Sequence, residues 1–279
     1  MTDVVTIALV GDIHGYWQTD FEAKALQTLG VDLVLLVGDF GNEDVALTRS
    51  IASLDFPKAI ILGNHDSWYT ATPWGKKKSP YPPSEDRVQM QLDILGKTHV
   101  GYAVLDFPEF DISVVGARPF SWGGSDWKEG DFYARYYGVG SMAESSERIS
   151  GAIDRAQCGR IIMIGHNGPY GLGAQPSDPC GKDWQIGGGD HGDPDFATAL
   201  AYGYAQGKSI PLVAFGHMHH QLKCSPLPRR SIVWNAQATV FVNGAIVPRI
   251  ISQDDAQRRC FTLIHLGQKQ VEKVQVVWV

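Results

Sequence analysis

The chain has 279 residues, of which 44% are hydrophobic and 19% charged, and its formal net charge is -6 at pH 7. This composition excludes a disordered chain. The acidic balance argues against a protein that coats nucleic acid, because such proteins usually carry a basic excess. The length allows one large domain or two ordinary ones, and since no linker divides the chain we expect a single domain over residues 1–279.

The N-terminus and the cysteines predict a cytosolic protein. The start MTDVVTIALVGD has no basic region before its short apolar run, which is typical of a strand and not of a signal peptide. No apolar run approaches the roughly 18 residues of a membrane-spanning helix. The cysteines show no CxxC spacing, so we expect reduced thiols and neither a zinc knuckle nor a redox motif. They are Cys158, Cys180, Cys224 and Cys260.

Apolar strands and helical segments alternate through the first third of the chain. The strands are predicted at Val4–Val10, Asp32–Val37 and Lys58–Leu62, and the helices at Asp20–Leu29 and Glu43–Leu54. Continuous apolar strands separated by helices indicate βαβ units and a parallel sheet covered on both faces.

The middle of the chain is less regular. We expect a loop at Pro73–Pro83, a helix at Glu85–Leu95, and a strand pair formed by Val100–Leu105 and Ile112–Val115. Long irregular loops inside a compact domain are often functional. We interpret three stretches as insertions of this kind, at residues 73–98, 118–142 and 168–194.

The C-terminal part returns to strands. These are predicted at Ile232–Asn235, Cys260–His265 and Val271–Val279. We assign them to a second, largely antiparallel sheet.

Polar side chains follow five of the apolar strands, each time next to a glycine. They are Asp12 and His14, then Asp39, then Asn64, His65 and Asp66, then His166, and finally His217 and His219. Ligands of open α/β sheets bind beyond the carboxyl ends of the strands, so we expect these side chains on one rim. Oxygen and imidazole ligands without cysteine suit divalent manganese, iron, zinc or magnesium. Two such metals about 3.5–4 Å apart can clamp a phosphoryl group, and Asp39, the middle element, is the natural carboxylate to bridge them.

These five blocks resemble the signature of the calcineurin-like metallophosphoesterases. They read GDIHG, GDFGN, GNHD, GH at 165–166 and GHMH at 216–219, in the order and, for the first three, with the spacing of that family. The resemblance spans residues 4–219. It implies an α/β fold, a four-layer αββα sandwich of two mixed β-sheets flanked by helices. It also implies two divalent metal ions, for which we favour Mn²⁺ over iron, Zn²⁺ or Mg²⁺.

The same resemblance implies roles for individual residues. Asp12, His14 and His219 would hold the first metal, and Asn64, His166 and His217 the second, with Asp39 shared between them. His65 would lie over the phosphoryl group and donate a proton, and Asp66 would orient its ring. The implied reaction is hydrolysis of a phosphoester by a metal-bridging hydroxide, with His65 as general acid.

Longer stretches resemble an uncharacterised subgroup of cyanobacteria and plastids. They are GDFGNE, GNHDSWYTATPWG, VVGARPFSWGGS and DPCGKDW. This resemblance implies a cytoplasmic protein, or a stromal one in a plastid-bearing lineage. It implies no substrate.

The type of phosphoester stays open. Phosphoprotein phosphatases of the superfamily carry an Arg in the second block and end the third in Glu, whereas GDFGN has no Arg and GNHD ends in Asp. This difference favours a phosphodiesterase acting on a small molecule or nucleotide. A phosphomonoesterase or protein phosphatase is the alternative, and a nuclease is disfavoured by the acidic net charge. An inactive scaffold of the same fold is also disfavoured, because no ligand position is missing. The expected partner is thus a small phosphorylated substrate, without a membrane segment or stable nucleic-acid binding.

The 118–142 stretch supplies further candidates. Arg118, after an apolar strand, is a candidate for bidentate binding of a phosphate oxygen, with a structural ion pair as the alternative. The aromatic residues that follow either stack on a planar substrate ring or pack as a lid. They are Trp122, Trp127, Tyr133, Tyr136 and Tyr137.

Overall fold

The computed structural model describes residues 4–223, 225–253 and 256–279. The strands, in chain order, are β1 (Val5–Val10), β2 (Leu33–Leu36), β3 (Lys58–Ile60), β4 (Val104–Phe107), β5 (Ile112–Gly116), β6 (Arg160–Ile164), β7 (Leu212–Phe215), β8 (Ile232–Trp234), β9 (Val240–Asn243), β10 (Ile250–Gln253), β11 (Ala256–Leu266) and β12 (Val271–Trp278). The α-helices are α1 (Thr19–Thr28), α2 (Val45–Ala52), α3 (Trp68–Ala71), α4 (Pro73–Lys78), α5 (Arg87–Leu95), α6 (Gly130–Tyr137), α7 (Met142–Arg155) and α8 (Pro194–Ala205). The predicted βαβ alternation of the first third is confirmed.

The first sheet has the strand order β10-β11-β1-β2-β3, and β12 also pairs with β11. Strands β1, β2 and β3 are parallel, whereas β11 runs antiparallel to β1. The assignment of Cys260–His265 and Val271–Val279 to a second sheet is therefore wrong. These segments form β11 and β12, which extend the first sheet beyond β1. This pairing joins segments some 250 residues apart, so local sequence carries no signal for it.

The second sheet has the strand order β4-β5-β6-β7-β9-β8. Its four central strands are parallel, and only the edge strands β4 and β8 are antiparallel to their neighbours. The segment Ile232–Asn235 does belong to this sheet, as β8. The expectation that the second sheet is largely antiparallel is wrong.

The two sheets pack face to face because their strands are apolar on both sides. In β1, Ile7 and Leu9 lie in the core between the sheets, whereas Ala8 and Val10 pack in the outer cluster that contains Leu26 of α1. Successive side chains of a strand point to opposite faces, so both faces of each sheet are covered. The fold is thus mixed α/β, with two mixed sheets flanked by helices, as expected.

Two stretches that we expected to be irregular contain helices. The loop assignment of Pro73–Pro83 is wrong for its first half, where α4 begins with Thr72 as N-cap accepting a 2.8 Å hydrogen bond from the Gly75 N–H and with Pro73 in the first turn. Helix α6 forms within the 118–142 stretch and buries Phe132 and Tyr133. Residues 168–193 are irregular as predicted, with neither a helix nor a named strand.

Three of the cysteines, Cys158, Cys180 and Cys260, are free thiols, whereas Cys224 lies outside the described residues. Within the described part of the chain, none of the helices combines the length and the apolar character needed to cross a membrane.

Candidate metal centre

Both sheets contribute to one rim. Asp12, Asp39 and Asn64 come after β1, β2 and β3 of the first sheet. From the second sheet, His166 follows β6, and the segment of His217 and His219 follows β7. The carboxyl ends of parallel strands meet at one edge of a sheet, and the face-to-face packing brings the two edges together.

The predicted ligands form two groups. The possible ligand atoms of Asp12, His14 and His219 lie within 4.8 Å of one another, as do those of Asp39, His166 and His217. Asn64 adjoins the second group, with its Oδ1 2.9 Å from Nε2 of His166. A third group joins His14, Asp39 and His65, so the Asp39 carboxylate is close to both halves of the site.

The oxygen and nitrogen atoms that could bind a metal face one another, and too few of them carry a proton for hydrogen bonds to pair them all. His166 donates its Nδ1–H to the Val37 carbonyl at 2.7 Å, which leaves Nε2 facing Asn64 Oδ1. Nε2 of His14 and Nε2 of His219 are 3.2 Å apart. Asp12 Oδ1 is buried and has no hydrogen-bond partner among the residues that the structure describes. Converging lone pairs of oxygen and imidazole nitrogen fit a divalent cation, and buried polar atoms are otherwise costly to leave unpaired.

The buried carboxylates and histidines of the site shift one another's pKa values. Burial acts to raise the pKa of Asp12, but the neighbouring histidines, His219 first, outweigh it and hold that pKa below its usual value. Burial acts to lower the pKa of His166, yet the charges of Asp39 and Asp12 raise it overall. Burial and the proximity of His166 hold the pKa of His217 well below its usual range. The ionised carboxylate of Asp12 and the neutral imidazole of His217 are forms that bind metals, whereas the raised pKa of His166 shows that the carboxylates favour a positive charge at this point.

Four of the predicted ligands have a left-handed backbone. The φ angles are 53° at Asp12, 46° at His14, 56° at Asp39 and 66° at His217. Non-glycine residues rarely adopt this conformation, which costs of order 1–3 kcal/mol each and is found mainly at functional sites. The repeated strain therefore marks these turns as functional.

Two glycines let the turns meet. A Cβ on Gly63 would lie 2.3 Å from Oδ1 of Asp39 and 2.6 Å from Cε1 of His166. A Cβ on Gly216 would lie 2.4 Å from Oδ2 of Asp12. Side chains cannot approach so closely, so glycine is required where it precedes the ligand residues.

Asp66 fixes the backbone beneath the site. Its fully buried carboxylate accepts hydrogen bonds from the N–H groups of Gly63 at 2.8 Å, Asp39 at 2.9 Å and Phe40 at 2.9 Å. Burial and the charge of Asp39 raise the pKa of Asp66 to about 7. The prediction that Asp66 orients the ring of His65 is wrong, because its carboxylate holds the turn after β2 against the turn after β3.

The ring of His65 is oriented by Asn42. The two side chains meet at 2.6 Å between Nδ1 and Oδ1, so the imidazole donates and the amide oxygen accepts. Trp68 stacks on the ring at 4.5 Å between centroids and 26° between planes. Nε2 of His65 then lies 4.0 Å from Oδ2 of Asp39. Sequence reasoning missed Asn42, although it stands in the GDFGN block three residues after Asp39.

Arg118 lies outside this site. The side chain is only 3% exposed and forms ion pairs with Asp193 (Nη2 to Oδ1, 2.9 Å) and Asp195 (Nε to Oδ2, 3.1 Å). The rings of Trp127 and Tyr133 pack near its guanidinium group. The prediction that Arg118 binds a phosphate oxygen is wrong, because two carboxylates some 75 residues away neutralise it in the protein interior.

A cleft of about 550 Å³ opens over the predicted ligands. Its walls include three tryptophans, Trp68, Trp122 and Trp184, and three lysines, Lys128, Lys182 and Lys223. His191 also lines it and stacks on His217 at 6.1 Å. Most of these residues come from the 118–142 and 168–194 stretches. Of the aromatic residues predicted to stack or to pack, Trp122 faces the cleft, whereas Trp127, Tyr133 and Tyr137 pack among other buried rings.

A second cavity of about 610 Å³ lies elsewhere on the surface. It is lined by residues such as Tyr69, Tyr81, Arg87 and Tyr136 and contains none of the predicted metal ligands. Its arginines are already matched, since Arg87 pairs with Glu85 and Arg135 with Asp86. The cleft over the histidines is therefore the candidate active site.

Comparison with known proteins agrees with this geometry. Residues 5–221 match the family model described as calcineurin-like phosphoesterase. No curated protein matches the sequence. One solved crystal structure is similar over 98% of both chains, with 10% identity and a TM-score of 0.56, which supports the fold alone. A dimetal phosphatase from Danio rerio is similar over 99% of this chain and 98% of its own (11% identity, TM-score 0.48), and PhoD over 98% and 68% (9% identity, TM-score 0.49).

Proposed function

The chain belongs to the calcineurin-like phosphoesterase family and is a metal-dependent phosphoesterase, and we propose that it is a phosphodiesterase acting on small-molecule or nucleotide substrates. The observation that carries this proposal is the cleft of about 550 Å³ over the histidine cluster. Sites for small ligands have volumes of about 300–1,000 Å³ and aromatic walls.

The metal ligands that we propose are the seven side chains of the rim. Asp12, His14 and His219 form one half, Asn64, His166 and His217 the other, and Asp39 serves both. Bound there, two divalent cations would polarise the phosphoryl oxygens and make a water nucleophilic near neutral pH. We favour manganese, because oxygen and imidazole ligands without thiolate suit it.

The protein's own contribution is to position and to move a proton. Asn42 and Trp68 hold the imidazole of His65 from the Nδ1 side and from one face, so that Nε2 is directed toward Asp39. We propose that His65 enters the step as an imidazolium, keeps the Nδ1 proton on Asn42, and donates its Nε2 proton to the leaving oxygen of the substrate, which leaves a neutral imidazole. General acid catalysis of this kind is typically worth about 10²–10⁴ in rate.

Two arginines, the predicted phosphate ligand Arg118 and Arg229 of the cleft wall, are held by other parts of the protein, which favours a diester over a monoester. Arg118 is neutralised in the interior. Arg229 donates from Nη1 to the carbonyls of Pro176, Asp178 and Gly181 and from Nε to that of His219. Both guanidinium groups thus bind other parts of the protein, and neither is available to bind a terminal phosphate dianion with two parallel hydrogen bonds.

A substrate panel tests the proposal. With added Mn²⁺, we expect kcat/KM for bis-p-nitrophenyl phosphate to exceed that for p-nitrophenyl phosphate at least tenfold, and cyclic or linear nucleotide diesters to be cleaved. The variant Asp39→Asn, purified in the same way, controls for contaminating phosphatases and should be inactive on every substrate. A strong preference for the monoester would favour a phosphomonoesterase instead.

A further inference from the structure

The lysines of the cleft have no role in the chemistry described above. Lys128 lies in the 118–142 stretch, Lys182 in the 168–194 stretch, and Lys223 in the segment after β7. Although the chain carries a net charge of -6, three distant parts of the sequence place an ammonium group at the same opening. This convergence requires an explanation, because scattered surface lysines would not collect at the mouth of one cleft.

These lysines have few partners in the protein: Lys128 donates to the Gly123 carbonyl at 3.5 Å and lies near the Glu129 carboxyl. None of the three forms an ion pair with a carboxylate of the described residues. Apart from Asp39, the carboxylate that lines the cleft is Asp183, which is only 8% exposed. Asp183 accepts a 2.9 Å hydrogen bond from the backbone N–H of Lys223 and faces Arg229 at 3.7 Å. Its charge is thus already shared with a backbone N–H and with Arg229.

His191 lines the same cleft as the lysines. Its ring stacks on His217 and donates Nε2–H to the Trp122 carbonyl at 2.9 Å. This imidazole is thus held by the wall of the cleft and brings no negative charge to face the lysines.

A phosphodiester alone does not account for this much positive charge. A single phosphodiester group carries one negative charge, and two divalent cations at the rim would more than neutralise it. Further cations raise affinity where the substrate brings further negative charge. The indole of Trp184, 52% exposed at the same opening, offers a stacking surface for a planar ring.

Building on the proposed function, we propose that the substrate carries a second anionic group, remote from the scissile phosphoryl, which binds the ammonium groups of Lys128, Lys182 and Lys223. The chemical class that fits is a phosphorylated nucleotide: one phosphoester at the metal ligands, a base or comparable ring near Trp184, and a second phosphate at the lysines.

A matched pair of substrates tests this proposal. The p-nitrophenyl ester of thymidine 5′-phosphate is compared with the same ester bearing an additional 3′-phosphate, so that the leaving group is identical. We expect kcat/KM to be at least tenfold higher for the 3′-phosphorylated ester at low salt. The preference should fall as ionic strength rises, because exposed charges are screened.

Lysine variants assign the effect to the cleft. Lys182→Met and Lys223→Met should each reduce the preference by about threefold, the usual worth of one exposed charge pair. The triple variant with Lys128→Met should abolish it, while the rate on the ester without the 3′-phosphate stays within about twofold. Lys208→Met, at a different cavity, is the matched control and should leave both rates unchanged. An equal loss on both esters, or no preference in the wild type, would overturn the proposal.

Binding separates this inference from the proposed reaction. Calorimetric titration of the metal-loaded protein with thymidine 3′,5′-bisphosphate and with thymidine 5′-phosphate measures the same preference without hydrolysis of a diester. Tighter binding of the bisphosphate that the triple variant loses supports the second-anion site even if the diesters are not cleaved, in which case only the phosphodiesterase assignment fails. Equal affinities would refute the second-anion site whatever the enzyme cleaves.

Discussion

Replacing Arg118 with methionine should destabilise the fold without affecting substrate binding. The guanidinium group is 3% exposed and contacts two carboxylates that are both 1% exposed, at 2.9 Å and 3.1 Å. Removing one partner of a buried ion pair leaves uncompensated charge and typically costs about 3–5 kcal/mol. Because burial already raises the pKa of Asp193 to about 6, uptake of a proton by that carboxyl limits the loss, and we expect about 3 kcal/mol near pH 7.

Urea denaturation followed by circular dichroism measures this loss. The matched control is Arg135→Met, because Arg135 forms a 2.6 Å ion pair with Asp86 in which the arginine is 63% exposed. An exposed pair contributes only about 0–1 kcal/mol. At temperatures where Arg118→Met stays folded, its KM should equal that of the wild type. A loss below about 1 kcal/mol, together with a KM raised tenfold or more, would show that Arg118 binds substrate after all.

Three further perturbations follow from the site and from its surroundings. His65→Ala should lower kcat by about 10²–10⁴ with unchanged metal content. Asn42→Ala removes the hydrogen bond that orients the His65 ring and should lower kcat less. An unchanged kcat in His65→Ala would exclude His65 as the general acid. Burial lowers the pKa of His99 to about 4, and its Nε2 has no partner among the described residues. In the unfolded state His99 is protonated below about pH 6.5, whereas in the folded state it stays neutral down to about pH 4. The free energy of unfolding should therefore fall by about 1–3 kcal/mol from pH 7 to pH 4. His99→Gln should reduce this pH dependence in urea titrations, and parallel pH profiles of variant and wild type would contradict the argument. Gly63→Ala should lower metal affinity and activity because its Cβ would meet a carboxylate oxygen at 2.3 Å. Gly151→Ala, in the middle of α7, should stabilise the protein slightly, because its Cβ would meet only the end of the flexible Arg155 side chain at 3.4 Å. Equal behaviour of the two variants in metal titrations would contradict this reason.

The sequence predicted those features that local patterns encode. Apolar runs that end at glycine located β1, β2 and β3, since a strand covered on both faces needs a continuous apolar run and a sharp turn needs glycine. The polar residues after these strands were correctly placed on one rim, because the carboxyl ends of parallel strands share an edge. Even so, the prediction did not reveal that two sheets supply the rim.

The remaining features depend on contacts between distant residues. The pairing of β11 with β1, and of Arg118 with Asp193, joins segments that are far apart in the sequence. Asp66 was misassigned because adjacency to His65 in the sequence suggested contact, whereas the turn directs its carboxylate to the backbone. The lysines of the cleft lie in irregular stretches whose path no periodicity reveals.

In the proposed site Asp39 serves two metal ions at once, and metal content per chain tests this role most directly. After loading with Mn²⁺ and removal of free metal, elemental analysis of the wild type should give about two ions per chain. Asp12→Ala should lose about one of them and Asp39→Ala about both, with circular dichroism confirming that the variants are folded. One ion per chain in the wild type, or an Asp39→Ala variant that retains both, would contradict the account.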